Sequence, residues 1–278
     1  MNDTARSGWR WAPAWVLAFV ALWPAPGYAE AVLALGAIAG IARLLLSRFR
    51  GSAVLLSGPA WALTSVLFFA YWLPEAISAI DAADRARAWR EALVDLRYLP
   101  FLWIVASAVA SEEGRRRTFG GLAVIVGVWT LDALVEAAIG NSPLFLAIDH
   151  AKQAISGHGM CTLAEVAAAD RLSGVLGPCN LKLGIVLASL SPFALDAAQR
   201  RFGPVGWVLA AVAIGLVVLL AGSRASWLTF GLVLLWTGWR VLGWKRLLGL
   251  FLFGVALLLA AALLSPSVAE RLNRSTAV

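Results

Sequence analysis

The sequence predicts an all-α, polytopic membrane protein, and three observations predict it. Hydrophobic residues make up 61% and charged residues 14% of the 278 positions, against about 45–50% and about 25% in soluble globular chains. The mean hydropathy is +0.80. The basic residues fall in short clusters between long apolar runs, as the positive-inside rule requires of membrane loops. The net charge of +7 is therefore assigned to topology, and no nucleic-acid partner is expected. No long stretch carries the polar half that a solvated surface needs, so a large soluble core is excluded and the chain reads as one membrane domain over 1–278.

About nine apolar segments are legible when runs are measured against a hydrocarbon core of about 30 Å at about 1.5 Å per helical residue. Their limits are 11–24, 29–47, 53–73, 96–110, 118–139, 180–198, 203–222, 224–240 and 247–264. The first is followed by Pro24-Ala25-Pro26-Gly27 rather than a small-x-small cleavage site, so it is read as a retained span. The second runs into Arg48 and Arg50, and the third ends at Trp72-Leu73-Pro74. The fourth is short and precedes the basic run Arg115 to Arg117, after which the fifth carries Asp132 and Glu136. The sixth opens near Asn180 and Lys182, and the seventh follows Arg200 and Arg201. The eighth opens on Arg224 and the ninth follows Lys245 and Arg246. The first, fourth and eighth are short for a full crossing and need help from interfacial Trp or tilted neighbours.

Charge sets the expected orientation. With the N-terminus cytoplasmic, the dense clusters at Arg6 and Arg10, Arg43 to Arg50, Arg115 to Arg117, Arg200 and Arg201, and Arg240 to Arg246 all face inward. The outer segments then hold basics balanced by acids. The expectation is N-in and C-out. Two outer segments are long: 74–96, whose apolar residues Ile77, Ile80, Trp89 and Leu93 recur near helical spacing as in a surface-lying helix, and 140–179, which holds both histidines and both cysteines.

Arg171 and Arg224 stand where apolar runs meet short polar breaks. A cation beside a span is costly and needs a purpose or an escape route. Guanidinium forks suit phosphate oxygens, so the functional reading is an anion site; snorkelling, or pairing of Arg171 with Asp170, is the bland one. Gly222 and Ser223 allow close backbone approach beside Arg224. Lys182 extends the positive patch or anchors a span end. Asp132 and Glu136 lie on one helix face; they read as a base, a relay, or partners for Arg97 or Arg171, with the ion pair preferred. His158 and Glu136 are weak candidates for a catalytic base. His150 and His158 lack metal-ligand spacing, so no metal is expected. Cys161 and Cys179 both fall on the outer side and could close a disulfide in an oxidising compartment. No P-loop, dinucleotide fingerprint or nucleophile elbow occurs, so no cofactor is expected.

Three stretches carry a family resemblance: Trp72-Leu73-Pro74-Glu75 through Leu96-Arg97-Tyr98-Leu99-Pro100, then Arg171-Leu172-Ser173-Gly174 through Gly177 and Asn180, then Gly222-Ser223-Arg224-Ala225. In this order they resemble the O-antigen ligase and O-antigen polymerase superfamily of bacterial inner-membrane glycosyltransferases. The resemblance implies a Gram-negative inner-membrane protein among membrane lipids, taking a glycan from an undecaprenyl diphosphate donor without metal or nucleotide. The acceptor would be lipid A–core for a ligase, or another lipid-linked glycan for a polymerase. Arg171, Arg224 and Lys182 would hold the diphosphate, with Asp132, Arg97 and Ser223 in support. The family also has a large outer loop with further arginines, a histidine and later spans; the sequence stops near Glu270-Arg271-Leu272, where that loop would begin. A truncated or inactive copy, or half of a split enzyme, is the corresponding expectation. Readings of another class are a lipid-linked-glycan or anion permease and a scaffold subunit.

Overall fold

The fold, seen in a computed structural model, is described for residues 9–50, 56–168, 171–249 and 252. Every regular element among them is helical. In chain order these are α1 (Ala12–Ala21), α2 (Pro26–Arg50), α3 (Gly58–Ser78), α4 (Arg85–Asp95), α5 (Tyr98–Ala108), α6 (Glu112–Ile139), α7 (Pro143–Ser156), α8 (Leu163–Ala168), α9 (Leu183–Leu220) and α10 (Arg224–Leu242), with a 3-10 turn at Gly174–Leu176.

Local chemistry sets these limits. Ser57, Asp84, Ser111 and Ser142 each accept a backbone N–H from the first turn of α3, α4, α6 and α7, satisfying a donor that a helix start otherwise leaves unpaired. Glu112 and Glu113 sit in the first turn of α6, where the helix dipole favours negative charge. Gly140 and Gly157 close α6 and α7 with left-handed backbone (φ 83° and 73°), which costs glycine little.

Among the described residues five helices are long and apolar enough to cross a membrane: α2, α3, α6, α9 and α10. The helices fit a multi-pass membrane protein. The first and fourth expected spans are instead the 10-residue α1 and the 11-residue α5, each about half the hydrocarbon thickness at about 1.5 Å per residue. The prolines after Trp23 end α1, and the tight turn joining α4 to α5 shortens the latter. The sixth and seventh expected spans are the two arms of α9, which breaks at Gly203 (φ 65°, ψ −158°) just before Pro204. The arms fold back on each other. Leu195 packs with Trp207 and Ala211, and a β-carbon on Gly184 would lie 3.0 Å from that of Ala221. The ninth expected span, 247–264, falls largely outside the described residues, as do Asp170 and the C-terminal tail from 265 onward.

Two packed groups share α1. In one, α6, both arms of α9 and α10 bury Val126, Leu183, Leu187, Val217 and Val218; in the other, α1, α2 and α5 bury Leu33, Phe101 and Ile104. Phe19 packs against both. α3 is peripheral, meeting α5 through Trp61 and Trp103 (6.1 Å between ring centres) and α4 through the Trp72 indole N–H, which donates to the Ala92 carbonyl at 2.7 Å. Leu63, Val66 and Leu67 on α3 are about 60–65% exposed, an outer face suited to a hydrocarbon surround.

Contacts fix which ends lie together. Trp9 meets Arg43, Glu30 meets Arg97, Leu17 meets Gly121, Phe119 meets Phe193, and Trp207 meets Gly238. Successive long helices therefore run in alternating directions. One end carries Arg10, Arg43, Arg115 to Arg117, Arg200, Arg201, Arg240, Lys245 and Arg246, with Glu113 paired to Arg116 and Arg117 and Asp196 to Arg200. The opposite end carries Glu30, Arg97, α4, α7, α8, Lys182 and the turn between α9 and α10.

Candidate functional site

The site is built at that second end, from the close of α6, the start and close of α9, and the start of α10. Gly222 ends the second arm of α9 with φ +67°, and the Arg171 side chain lies across it. A β-carbon on Gly222 would stand 3.3 Å from Arg171 Cδ and 3.5 Å from Arg171 Nε. The Leu172 N–H donates to the Leu220 carbonyl at 3.4 Å. The Arg171 segment and the Gly222-Ser223-Arg224 turn, distant in sequence, are thus adjacent in space. Arg224 is the first residue of α10 and Ser223 its N-cap, whose hydroxyl makes no capping bond. Both arginines are exposed, and each makes further interactions of its own.

Lys182 occupies the N-cap position of α9, makes no capping bond there and is exposed. Two residues on, Gly184 packs against Ala221 and Ser226, with the Ser226 hydroxyl 2.9 Å from where a β-carbon would be. This close approach, which only a glycine permits, draws the Lys182 helix start toward the Arg224 helix start. Arg171 and Arg224 therefore stand on adjacent segments at one junction of helix ends, and Lys182 lies at the start of the neighbouring helix. Two of those ends are N-termini, which favour anions through unpaired N–H groups and the helix dipole.

The carboxylates are held differently from the expected ion pairs. Asp132 is buried; its Oδ2 accepts from the Ser142 hydroxyl at 2.6 Å and its Oδ1 from the Leu144 N–H at 2.9 Å. It fastens the start of α7 to α6. Glu136 accepts from the Ser173 N–H at 3.3 Å, from the Ser173 hydroxyl at 3.2 Å and from the Gly174 N–H. Arg97 is paired with Glu30 and stacks on Tyr98, so the expected pairing of Arg97 with Asp132 or Glu136 is corrected. The physical reason is proximity: Glu30 on α2 faces the α4–α5 turn, whereas backbone N–H groups of the 3-10 turn reach Glu136 first.

The short helices α7 and α8 lie at this end. Cys161 and Cys179 form a disulfide, with their Cα atoms 5.5 Å apart. Asp149 on α7 accepts the Met160 N–H, and Lys152 donates to the Gly159 carbonyl at 3.2 Å. The Phe145 ring lies against Gly177 (φ +79°), in the space a side chain would need. Thr162 and Glu165 form a capping box at α8, where the Thr162 backbone N–H, then its hydroxyl, holds the Glu165 carboxyl below the usual 4.5. His158 is exposed in the turn after α7, its Nδ1 2.6 Å from the Ser156 carbonyl oxygen; His150 is exposed on α7. Among the described residues no group of three or more His, Cys, Asp or Glu could hold a metal ion.

Ser142 and Phe145 were not singled out by the sequence, and Ser173 stood there only as part of the Arg171-Leu172-Ser173-Gly174 stretch. The Ser142-Pro143 pair was a legible helix start; the partners of Phe145 and Ser173 lie elsewhere in the chain, so nothing local gave them. No protein-family model, curated protein or solved structure matches the chain.

Proposed function

We propose that the chain is an O-antigen ligase-like inner-membrane protein that binds a polyprenyl diphosphate-linked glycan at its outer end. In this reading Arg171, Arg224 and Lys182 hold the diphosphate, with Ser223 beside them and the prenyl tail in lipid. The observation that carries it is the packing of Arg171 across Gly222, which puts two guanidinium-bearing segments at one junction of helix ends. Arginine forks match phosphate oxygens. Fixed positive charge there stabilises the additional negative charge that builds on the diphosphate as its bond to the sugar breaks.

The reaction this site serves is glycosyl transfer. An acceptor hydroxyl on lipid A–core, or on a second lipid-linked glycan in a polymerase, attacks the anomeric carbon. A new carbon–oxygen bond forms as the bond to the diphosphate breaks, and the electron pair leaves on the diphosphate. The hydroxyl proton passes to a base. Glu136 is engaged by three donors and His158 by its own turn, so neither is assigned that role.

Two features support an outer placement of this end in a chain of about nine crossings with the N-terminus inside. The disulfide Cys161–Cys179 suits an oxidising compartment. The opposite end gathers the dense basic clusters, which suit the cytoplasmic face.

The test is titration of undecaprenyl diphosphate into nanodiscs holding the protein, with undecaprenol as the uncharged control. The diphosphate should bind, and the alcohol should not. Arg171→Ala and Arg224→Ala should each weaken binding by at least about tenfold. Arg224→Lys should also weaken it, because a point charge lacks the fork. Equal binding of the alcohol, or unchanged binding in both alanine variants, would sink the reading.

A further inference from the structure

We infer that Glu136 is a positioning residue for this site: its carboxylate latches the Ser173-Gly174 turn to α6 and thereby sets where Arg171 stands. The inference rests on the diphosphate reading above and assigns a job to a residue that reading leaves without one.

Glu136 lies near the end of α6 and receives three donors from residues 37 and 38 positions further along the chain. Two are backbone N–H groups, from Ser173 and Gly174, and the third is the Ser173 hydroxyl. Ser173, Gly174, Val175 and Leu176 are buried, so the N–H groups need a partner within the protein. Gly174 has φ +53°, so this turn does not continue a helix or strand that would satisfy them. A carboxylate can accept several N–H bonds at once and forms charge-assisted, stronger ones. Glu136 therefore closes this turn where no backbone element can.

The latch reaches Arg171 by a short path. Leu172 links the two and is itself tied to Leu220 through its N–H. The segment 171–174 is thus pinned on one side by Glu136 of α6 and on the other by the close of α9. Between those pins the Arg171 stem lies across Gly222. The adjoining residues reinforce it: Gly174 packs on Leu183 and Ala133, joining the turn to the start of α9 beside Lys182. Releasing Glu136 frees the turn while leaving both arginines in the chain.

The experiment uses the full-length protein in nanodiscs, with Glu136→Gln, Glu136→Ala and Ser173→Ala. Two readouts are taken: hydrogen exchange of the segment 172–176 and affinity for undecaprenyl diphosphate. Glutamine keeps the side-chain volume and one acceptor but sets an NH2 group against a donor. The expected order of both protection and affinity is wild type, then Ser173→Ala, then Glu136→Gln, then Glu136→Ala. Affinity in Glu136→Ala should fall about as far as in Arg171→Ala, and Glu136→Ala/Arg171→Ala should fall little further. Wild-type protection of 172–176 in both Glu136 variants would overturn the latch, as would additive losses in the double variant. Ser173→Ala, which keeps the carboxylate in place, decides the order should a Glu136 variant not fold. Absence of diphosphate binding by the wild type would sink the diphosphate reading instead, and exchange alone would then decide whether Glu136 holds the turn.

Discussion

Arg171 lies across the backbone of Gly222, its Cδ 3.3 Å from where a β-carbon would stand. That contact joins the two arginine segments, and it explains why the residue beneath Arg171 is glycine on two counts. The backbone there is left-handed (φ +67°), which costs a side-chain-bearing residue roughly 1–2 kcal/mol, and the space above it is taken.

Gly222→Ala should therefore displace the Arg171 stem without removing a charge. Affinity for undecaprenyl diphosphate is expected to fall by about tenfold, worth about 1.4 kcal/mol. Titration beside Arg171→Ala checks this; wild-type affinity would mean that the course of the stem does not matter to binding.

Gly177→Ala places a methyl group within the Phe145 ring on a backbone with φ +79°. Overpacking of this kind costs about 1–3 kcal/mol. Phe145→Ala alone should also destabilise, yet the double variant should be less unstable than the two losses added. Thermal unfolding of the four proteins in one detergent reads this coupling.

Cleaving Cys161–Cys179 should loosen the segment that carries Arg171. A closed loop of this length contributes about 3 kcal/mol by chain entropy. Reduction, or Cys161→Ser/Cys179→Ser, should lower the unfolding temperature and speed trypsin cleavage after Arg171. Equal cleavage rates in oxidised and reduced protein would show that the disulfide does not restrain that segment.

The capping box of α8 gives a pH dependence with a defined sign. Glu165 has a folded-state carboxyl held below 4.5, mainly by the Thr162 N–H. Its contribution is thus fully present above the unfolded value of 4.5 and is lost as pH falls through the lower folded value. Exchange of the amides at the start of α8 should rise in that acid window. Glu165→Gln should flatten the rise; an unchanged pH profile would remove the capping box as its cause.

Asp132→Ala leaves the Ser142 hydroxyl and the Leu144 N–H without their acceptor. An unsatisfied buried donor costs about 1–3 kcal/mol, and α7 should detach from α6. Cysteine labelling at Leu144, in a background with the native pair replaced by serine, should become faster than in the parent.

How much of this was legible in the sequence depends on the range of the interaction. Helix starts at Ser57, Asp84, Ser111 and Ser142, and stops at Gly140 and Gly157, follow from bonds within four residues, and short-range chemistry is written locally. The helical class follows from the long continuous apolar runs, which suit membrane helices rather than the alternating strands of a barrel. The basic clusters were each legible, and so was the segregation of Arg171 and Arg224 from them.

Only tertiary packing decided the rest. Whether Asp132 and Glu136 pair with arginines or hold backbone N–H groups depends on which donors arrive first, and the donors to Glu136 come from 37 and 38 residues away. The prolines that end α1 are written in the sequence, but the tight turn between α4 and α5 that shortens α5 is not. The meeting of Arg171 with Gly222 depends on Gly203 folding one arm of α9 back along the other, which carries the residues before Lys182 and those after Leu220 to the same end. A sequence states which residues can bend, cap or carry charge; which of them become neighbours is decided by how the apolar faces of separate helices close on each other.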